Sequence, residues 1–469
     1  MADKMISELA MAGPLSNSMF IPVAQGGSNF ALPAHRLIGA QPFVQLWGDG
    51  DSKTGEGVGA FEWAVARLNL DAWVGGRQFG VGGTNTSNSG NNLTSPARMA
   101  TIVTAIETAS ATGDIIDVVM TIGTNDVVLA NMTSEAIIAN IRNYHDVIRA
   151  AGCRNLILMS IDPRTNLTAT QQGQIASANR AYEDYCRVVA DAIFVDAMPW
   201  MLDPASPSFI PIGGAGGTFG AVTNDGLHCS AYGIFRKSFA VEAVAEQLYR
   251  FRPVELIGSG IAFNSVTAVR GNILGTGGRF VAMGGTDSFT KVDTSSVVGT
   301  PPATFTGSGT LNGDTKLTYS VANCADLGSR YGGDWPCINV ALSGTPVSTS
   351  DIQLAGRYVV FAYPASTRMR GRALVNLNNV TGLSRLRLQT QNVNPPLSKT
   401  LGAAGAAAPQ HELPTLNGLH ALEIVCDPVN AGNSGLNLLI SGVAGRPFGG
   451  SIDLLGIEWR RADAIPMVA

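Results

Sequence analysis

Ile115-Ile116-Asp117-Val118-Val119-Met120-Thr121-Ile122 is a run of apolar and β-branched residues that leads, through Gly123-Thr124-Asn125-Asp126, into a stretch of different period. In that second stretch Ile137, Ile141, Tyr144 and Ile148 recur at helical spacing. Thr133 stands at the N-cap position, Glu135 lies in the first turn and Gly152 ends the period. A strand this apolar has no face for water, so it belongs in a sheet covered on both sides. Working outward, the same alternation recurs between about residues 43 and 250. Apolar runs lie at Phe43 to Trp47, Asn155 to Ile161 and Ala192 to Ala197, with a weaker, glycine-interrupted one at Ala72 to Val81. Helical stretches fall around Phe61 to Leu68 and from Ser230 to Arg250. Strand and helix in strict alternation predict an α/β domain over 41–252 with a parallel sheet.

After Pro253 the helical periods stop and Thr, Ser, Gly and Asn dominate. Period-2 runs at Tyr358 to Tyr363, Leu374 to Leu377, Leu386 with Leu388, Leu422 to Cys426, Leu436 to Ile440 and Ile452 to Trp459 predict an antiparallel β-sandwich over 335–469. The stretch 253–334, with fragments such as Phe280 to Met283 among glycines, reads as a β-rich connector or as part of the sandwich. Residues 1–40 form a separate N-terminal segment.

Composition narrows the possible partners. Of 469 residues 55 are Gly and only 14% are charged, against roughly 25% in an ordinary chain, yet the 45% hydrophobic content is that of a core-forming protein. Collagen-like and disordered chains are both excluded. With 31 Lys and Arg against 35 Asp and Glu, and no basic run, nucleic acid is not an expected partner. No apolar stretch reaches the roughly 18 residues of a membrane span, and Asp3 and Glu8 interrupt any signal-peptide core. The six cysteines contain no C-x-x-C, and the histidines show no metal spacing, so reduced thiols are expected and neither a metal nor a cofactor is called for.

Four segments carry chemistry. In Gly48-Asp49-Gly50-Asp51-Ser52-Lys53, Ser52 follows an apolar strand at the turn into a helix, where side chains reach the crevice at the strands' C-terminal ends. Ser52 is the candidate nucleophile, although the local sequence taken alone favours a plain helix-capping role for Asp51 or Ser52. A hydroxyl needs a base, and an imidazole base needs a carboxylate to fix its tautomer. Asp225-Gly226-Leu227-His228 offers both from one loop. Gly80-Val81-Gly82-Gly83 and Gly123-Thr124-Asn125 follow two other strands, so a backbone N–H of Gly83 (or Gly82), the N–H of Ser52 and the amide of Asn125 are candidate oxyanion donors. Lys53 is expected to be solvated, with contact to an anionic substrate as the alternative. The stretch Pro204 to Val222, with Phe209 and Phe219, is a candidate substrate wall beside the catalytic loop. His35, His145, His411 and His420 are expected to be surface or packing residues, His145 on the polar side of its helix.

These four blocks, in this order, resemble the SGNH hydrolases, or GDSL-type esterases, over about residues 40 to 250. The resemblance implies a flavodoxin-like fold, Ser52 as nucleophile, His228 as base and then acid, and Asp225 orienting His228. It also implies an oxyanion hole of Ser52, Gly83 and Asn125. Lys53 departs from the family, which is usually apolar at that position.

Ile6-Ser7-Glu8-Leu9, Pro22 to Gly27 and Leu32 to Leu37 resemble a segment found at the start of bacteriophage tail-fibre and tailspike proteins. That resemblance implies a virion protein docked to the phage tail through its N-terminus, a homotrimer, and an enzyme acting on bacterial surface polysaccharide. The C-terminal region is then a jelly-roll-like sandwich that either trimerises or binds glycan through Trp335, Tyr331 or Trp459. The function expected is a carbohydrate O-acetyl esterase. A general esterase or lipase, and a non-catalytic receptor-binding adhesin on the same scaffold, are the alternatives.

Overall fold

The computed structural model describes residues 20–25, 28–33, 44–206, 209–251, 279–331, 333–349, 351–361, 367–391, 398–403, 411–429 and 432–461. Most of the tail-fibre-like segment, including His35, and the N-terminal part of 253–334 lie outside these residues. What is described of the segment is an antiparallel hairpin of β1 (Phe20–Gln25) and β2 (Ser28–Pro33).

The α/β unit contains β3 (Val44–Gly50), α1 (Thr54–Leu68), β4 (Trp73–Gln78), α2 (Pro96–Ala111), β5 (Ile115–Thr121), α3 (Thr124–Val128) and α4 (Ser134–Ala150). It continues through β6 (Cys153–Met159), α5 (Ala169–Val188), β7 (Ala192–Val195), α6 (Met198–Met201) and α7 (Ala231–Leu248). The five strands are all parallel, in the order β4-β3-β5-β6-β7, which is the flavodoxin-like doubly wound arrangement. Its switch point falls at β3, where Ser52 leaves the sheet.

Helices cover both faces. On one, Ile137, Ile141, Tyr144 and Ile148 of α4 are fully buried with Ile102 and Ile106 of α2 and Ile175 and Tyr182 of α5. Each such aliphatic side chain contributes about 2–3 kcal/mol at most by burial. The opposite face carries α1 and α7, where Val58, Phe61 and Ala64 meet Val241 and Ala245. Helix α4 starts as its sequence dictates, with the Thr133 hydroxyl accepting from the Ala136 N–H at 3.3 Å. His145 is a packing residue, although its side of α4 does not face solvent as its sequence reads. It is buried within α4 and shares a 2.7 Å hydrogen bond with the Tyr185 hydroxyl, because α5 packs over the side of the helix that reads as polar.

The C-terminal half is built from β8 (Thr286–Lys291), β9 (Ser296–Val298), β10 (Thr306–Leu311), β11 (Lys316–Asn323), α8 (Ala325–Tyr331) and β12 (Pro336–Ser343). The remaining strands are β13 (Asp351–Phe361), β14 (Thr367–Thr381), β15 (Leu383–Gln391), β16 (Ser398–Gly402), β17 (Leu416–Val429), β18 (Gly432–Gly442) and β19 (Gly449–Arg461). Two six-stranded sheets, β16-β15-β18-β13-β10-β8 and β17-β14-β19-β12-β11-β9, share one core. Counted from β12, the last eight strands form two antiparallel four-stranded sheets that interleave as a jelly roll. The described part of 253–334 is therefore no separate connector. Strands β8 to β11 extend the two sheets, each through an antiparallel and then a parallel pair. Trp459 is 1% exposed in the shared core, which removes it as a platform for sugar, whereas Trp335 is only partly buried, at the edge of a smaller cluster around α8. The side chains of Tyr331 and Cys426 lie outside the described residues. Cys153, Cys229, Cys324 and Cys337 are buried free thiols.

The two halves meet along α1. Trp63 and Ala66 on its outer side enter the sandwich core, where the Trp63 and His420 rings lie edge to face at 6.0 Å. Lys399 of β16 donates to Glu62 at 2.8 Å and to the Val74 carbonyl at 3.0 Å. A helix buried on two opposite sides cannot show a clean amphipathic stripe. That is why the sequence pattern reveals only its second half.

Candidate active site

Strand β3 ends in a turn that requires glycine. Gly50 has φ +139°, and a Cβ there would stand 2.0 Å from the Thr121 carbonyl oxygen of β5. The chain then passes close over β5, with the Asp51 N–H donating to Thr121 at 3.0 Å. Asp51 Oδ1 accepts the Lys53 N–H at 2.9 Å, and the Thr54 hydroxyl donates to the Asp51 carbonyl at 2.8 Å. This turn opens α1 and leaves Ser52 exposed at the C-terminal edge of the sheet, by the positive end of the helix dipole.

His228 Nε2 lies 3.0 Å from Ser52 Oγ, and His228 Nδ1 lies 2.8 Å from Asp225 Oδ2. The other oxygen, Asp225 Oδ1, accepts the N–H groups of Leu227 at 2.9 Å and His228 at 2.7 Å. Burial raises the Asp225 pKa, but the hydrogen bonds from the His228 ring and these two backbone groups outweigh it and bring the value down to about 2. An ionised carboxylate only accepts, so the imidazole proton sits on Nδ1, and Nε2 is left to accept from the Ser52 hydroxyl. Gly226, at φ +81°, lets the loop turn against Thr165, whose N–H donates to the Gly226 carbonyl at 2.9 Å.

Three backbone N–H groups in the turns at this edge, those of Ser52, Gly82 and Gly83, are unpaired among the described residues. Gly82 is the nearer of the two glycines, a Cβ on it falling 3.9 Å from Ser52 Cβ. Asn125, buried on α3, donates from Nδ2 to the Thr84 carbonyl at 2.9 Å, which fixes its amide and leaves the second N–H. Sequence reasoning missed what holds this half. Arg98 of α2 donates to Asp49, to the Gly50 carbonyl and, at 3.1 Å, to Thr84 Oγ1. Tyr144 donates to the remaining oxygen of Asp49 at 2.7 Å. No local motif marks Arg98, since its partners come from β3 and from the loop after β4.

Lys53 is a correction. It is 3% exposed and 3.8 Å from Asp162, so it is neither solvated nor presented to a substrate. Behind it lies a buried charge cluster. Lys237, 0% exposed, is 2.7 Å from Asp162 and 3.5 Å from Glu56. Glu56, Asp162 and Cys229 converge closely enough to suggest a metal site. The Lys237 ammonium already provides the cation there, and burial raises the Cys229 pKa well above its ordinary value, so the thiol does not ionise. Of the candidate wall residues, Phe209 turns inward against the α2–α4–α5 core with φ 57°, whereas Phe219 is 51% exposed beneath the Arg446 guanidinium at 4.9 Å.

Asp51 supports a prediction about stability. Burial lifts its pKa to about 6, the nearby Lys53 charge only partly opposing this. Because the folded value lies above the unfolded one, Asp51 contributes less to stability as pH rises from about 4 through about 6. The loss at neutral pH is on the order of 3 kcal/mol. Asp51→Asn should therefore gain stability relative to the wild type between pH 4 and pH 7.5, as read from urea midpoints. Parallel pH dependences of the two proteins would contradict an ionised, buried Asp51.

The chain matches no protein-family model, and no curated protein matches its sequence. Solved structures similar to it include a GDSL-like lipase from Bacteroides thetaiotaomicron VPI-5482, at 16% identity and TM-score 0.31, covering 46% of this chain and 95% of the lipase. An acetylxylan esterase from Geobacillus stearothermophilus is similar at 16% identity and TM-score 0.30, over 45% of this chain and 96% of the esterase. The enzymatically active domain of tailspike protein 4 of bacteriophage CBA120 is similar at 13% identity and TM-score 0.22, over 34% of this chain and 19% of that one. Likenesses at this level carry no reaction with them, and the chemistry has to be read from the side chains.

Proposed function

We propose that this chain is a serine esterase of the SGNH type that removes O-acetyl groups from bacterial surface polysaccharide. The observation that carries the reading is the unbroken line from Ser52 Oγ through His228 to Asp225, at 3.0 and 2.8 Å. The free donors of Ser52, Gly82 or Gly83, and Asn125 supply what the line needs beside it.

Ser52 Oγ attacks the ester carbonyl as its proton passes to His228 Nε2, and the imidazolium is stabilised by Asp225. The carbonyl oxygen becomes an oxyanion accepting from those N–H groups, which act on charge that develops only in the transition state. Collapse breaks the bond to the sugar oxygen, which takes the proton from His228 and leaves as the alcohol. Water then repeats the sequence on the acyl-Ser52 ester, releasing acetate and restoring the hydroxyl.

Support for a polymeric substrate is the openness of the site. Ser52, Gly82 and Gly83 are exposed, and the Asp225 side chain is 53% exposed, so a bulky chain can bring an ester to the nucleophile without entering a closed pocket. The tailspike-like setting, with a homotrimer, tail docking through the N-terminus and a virion location, belongs to this proposal and rests on the sequence resemblance. Acetate release should be measured from an O-acetylated bacterial polysaccharide and from a chromogenic acetate ester. Both should be hydrolysed. Activity on the small ester alone would remove the glycan assignment, and activity on neither would remove the esterase.

A further inference from the structure

On the reading of the site as a serine esterase, we infer that Glu56 is a positioning residue that holds the base, His228, through the backbone of its loop. Glu56 lies in the first turn of α1, behind the nucleophile. Its Oε1 accepts the N–H of Cys229, the residue that follows His228, at 2.8 Å. Its Oε2 is 3.5 Å from Lys237 Nζ, Lys237 is 2.7 Å from Asp162, and Asp162 is 3.8 Å from Lys53, the residue that follows Ser52. The residue after the nucleophile, Lys53, is thus joined to the residue after the base through three further buried charges, Asp162, Lys237 and Glu56.

Such a chain is expensive to desolvate, and apolar residues of similar size would stabilise the fold as well or better. Stability alone does not explain it. Its geometry does, because the other contacts that hold His228 and Cys229 come from within the same loop: the Asn224 N–H to the His228 carbonyl at 2.7 Å, Asn224 Nδ2 to the Cys229 carbonyl at 3.0 Å, and the His228 N–H to Asp225 Oδ1 at 2.7 Å. Glu56 adds a charged acceptor anchored to α1, the same helix whose start carries Ser52. The distance between nucleophile and base is then set by one rigid element.

The site needs a carboxylate there, since two donors, the Cys229 N–H and the Lys237 ammonium, converge on it. An amide has a single acceptor oxygen. In Glu56→Gln the buried ammonium claims that oxygen, the charge-assisted contact being the stronger, and the amide NH2 is turned on the Cys229 N–H. Glu56→Gln should then lower kcat about tenfold or more, with KM changed less than about twofold, because only the alignment of the base is disturbed. Asp162→Asn is the control. It removes a charged partner of Lys237 but leaves both acceptor oxygens of Glu56 in place, so it should lower the melting temperature while lowering kcat clearly less than Glu56→Gln does.

Kinetics on the chromogenic ester and thermal unfolding of the three proteins decide the matter. Wild-type kcat in Glu56→Gln, or an equal fall in both variants, would overturn the positioning role. Amide hydrogen exchange of the wild type gives a check that needs no variant: the Cys229 amide should be strongly protected, and rapid exchange would contradict the bond. A wild type inactive on every ester would instead strike at the esterase reading, an outcome distinct from all of these.

Discussion

Replacing Ser52 with Ala is expected to lower kcat on a chromogenic acetate ester by about 10^4-fold or more while leaving the fold intact. The size of the effect follows from the nucleophile having no substitute: among the described residues no other hydroxyl is bonded to His228. The fold should survive because Ser52 is exposed and its side chain's hydrogen bond is the one to His228, so the melting transition should move by no more than about 0.5 kcal/mol equivalent. The residual rate of Ser52→Ala should still exceed that of water, since the oxyanion donors and His228 remain. A variant that kept a tenth of the wild-type kcat would mean that water, activated directly by His228, is the attacking species.

The second large effect is expected at Asp225. Asp225→Asn can still accept the N–H groups of Leu227 and His228 on its amide oxygen, so the loop should keep its shape. What then faces His228 Nδ1 is an NH2 group, a donor. The ring proton is driven to Nε2, the wrong atom for accepting the Ser52 proton, and kcat should fall by about 10^3–10^4-fold with little change in stability at neutral pH. Asp225 is half exposed and its pKa lies near 2, so its contribution to stability is present above about pH 4 and is lost only as pH falls toward 2. Acid inactivation at pH 5 would therefore come from another group. If Asp225→Asn retained wild-type kcat, the carboxylate would be a loop cap and nothing more.

How much of this was legible in the sequence depends on how local the physics is. The parallel sheet was readable because β5 and β6 are largely buried and mostly apolar, broken only by Asp117 in β5 and by Arg154 and Asn155 at the start of β6. The edge strand β4 was fainter, since it is only partly buried and Gly75 adopts φ +82° within it. Ser52, Asp225, His228 and Asn125 could be singled out because their segments follow strand ends or precede the last helix in one consistent order, although each segment alone is ambiguous. Lys53 was misread because a lysine at a helix start looks solvated. Its partner, Asp162, follows a strand two places away in the sheet, and no local pattern announces it. The same holds for Arg98, which ties Asp49 to Thr84, and for His145, hidden by Tyr185 of the next helix. Strands β8 to β11 escaped for a related reason. β8 to β10 are short and polar or glycine-broken, β10 and β11 are held by antiparallel pairing to β13 and β12, and β8 and β9 by parallel pairing to β10 and β11; β11 alone alternates, with Leu317, Tyr319 and Val321.

On the proposed mechanism Ser52 forms a covalent acyl intermediate with the help of His228. This step is tested most directly by incubating the protein with a fluorophosphonate ester and locating the label by peptide mass mapping. The result predicted is one phosphonyl group per chain, on Ser52, absent in Ser52→Ala and formed far more slowly in His228→Ala. An unlabelled wild type, or a label carried by another residue in an otherwise active protein, would contradict it.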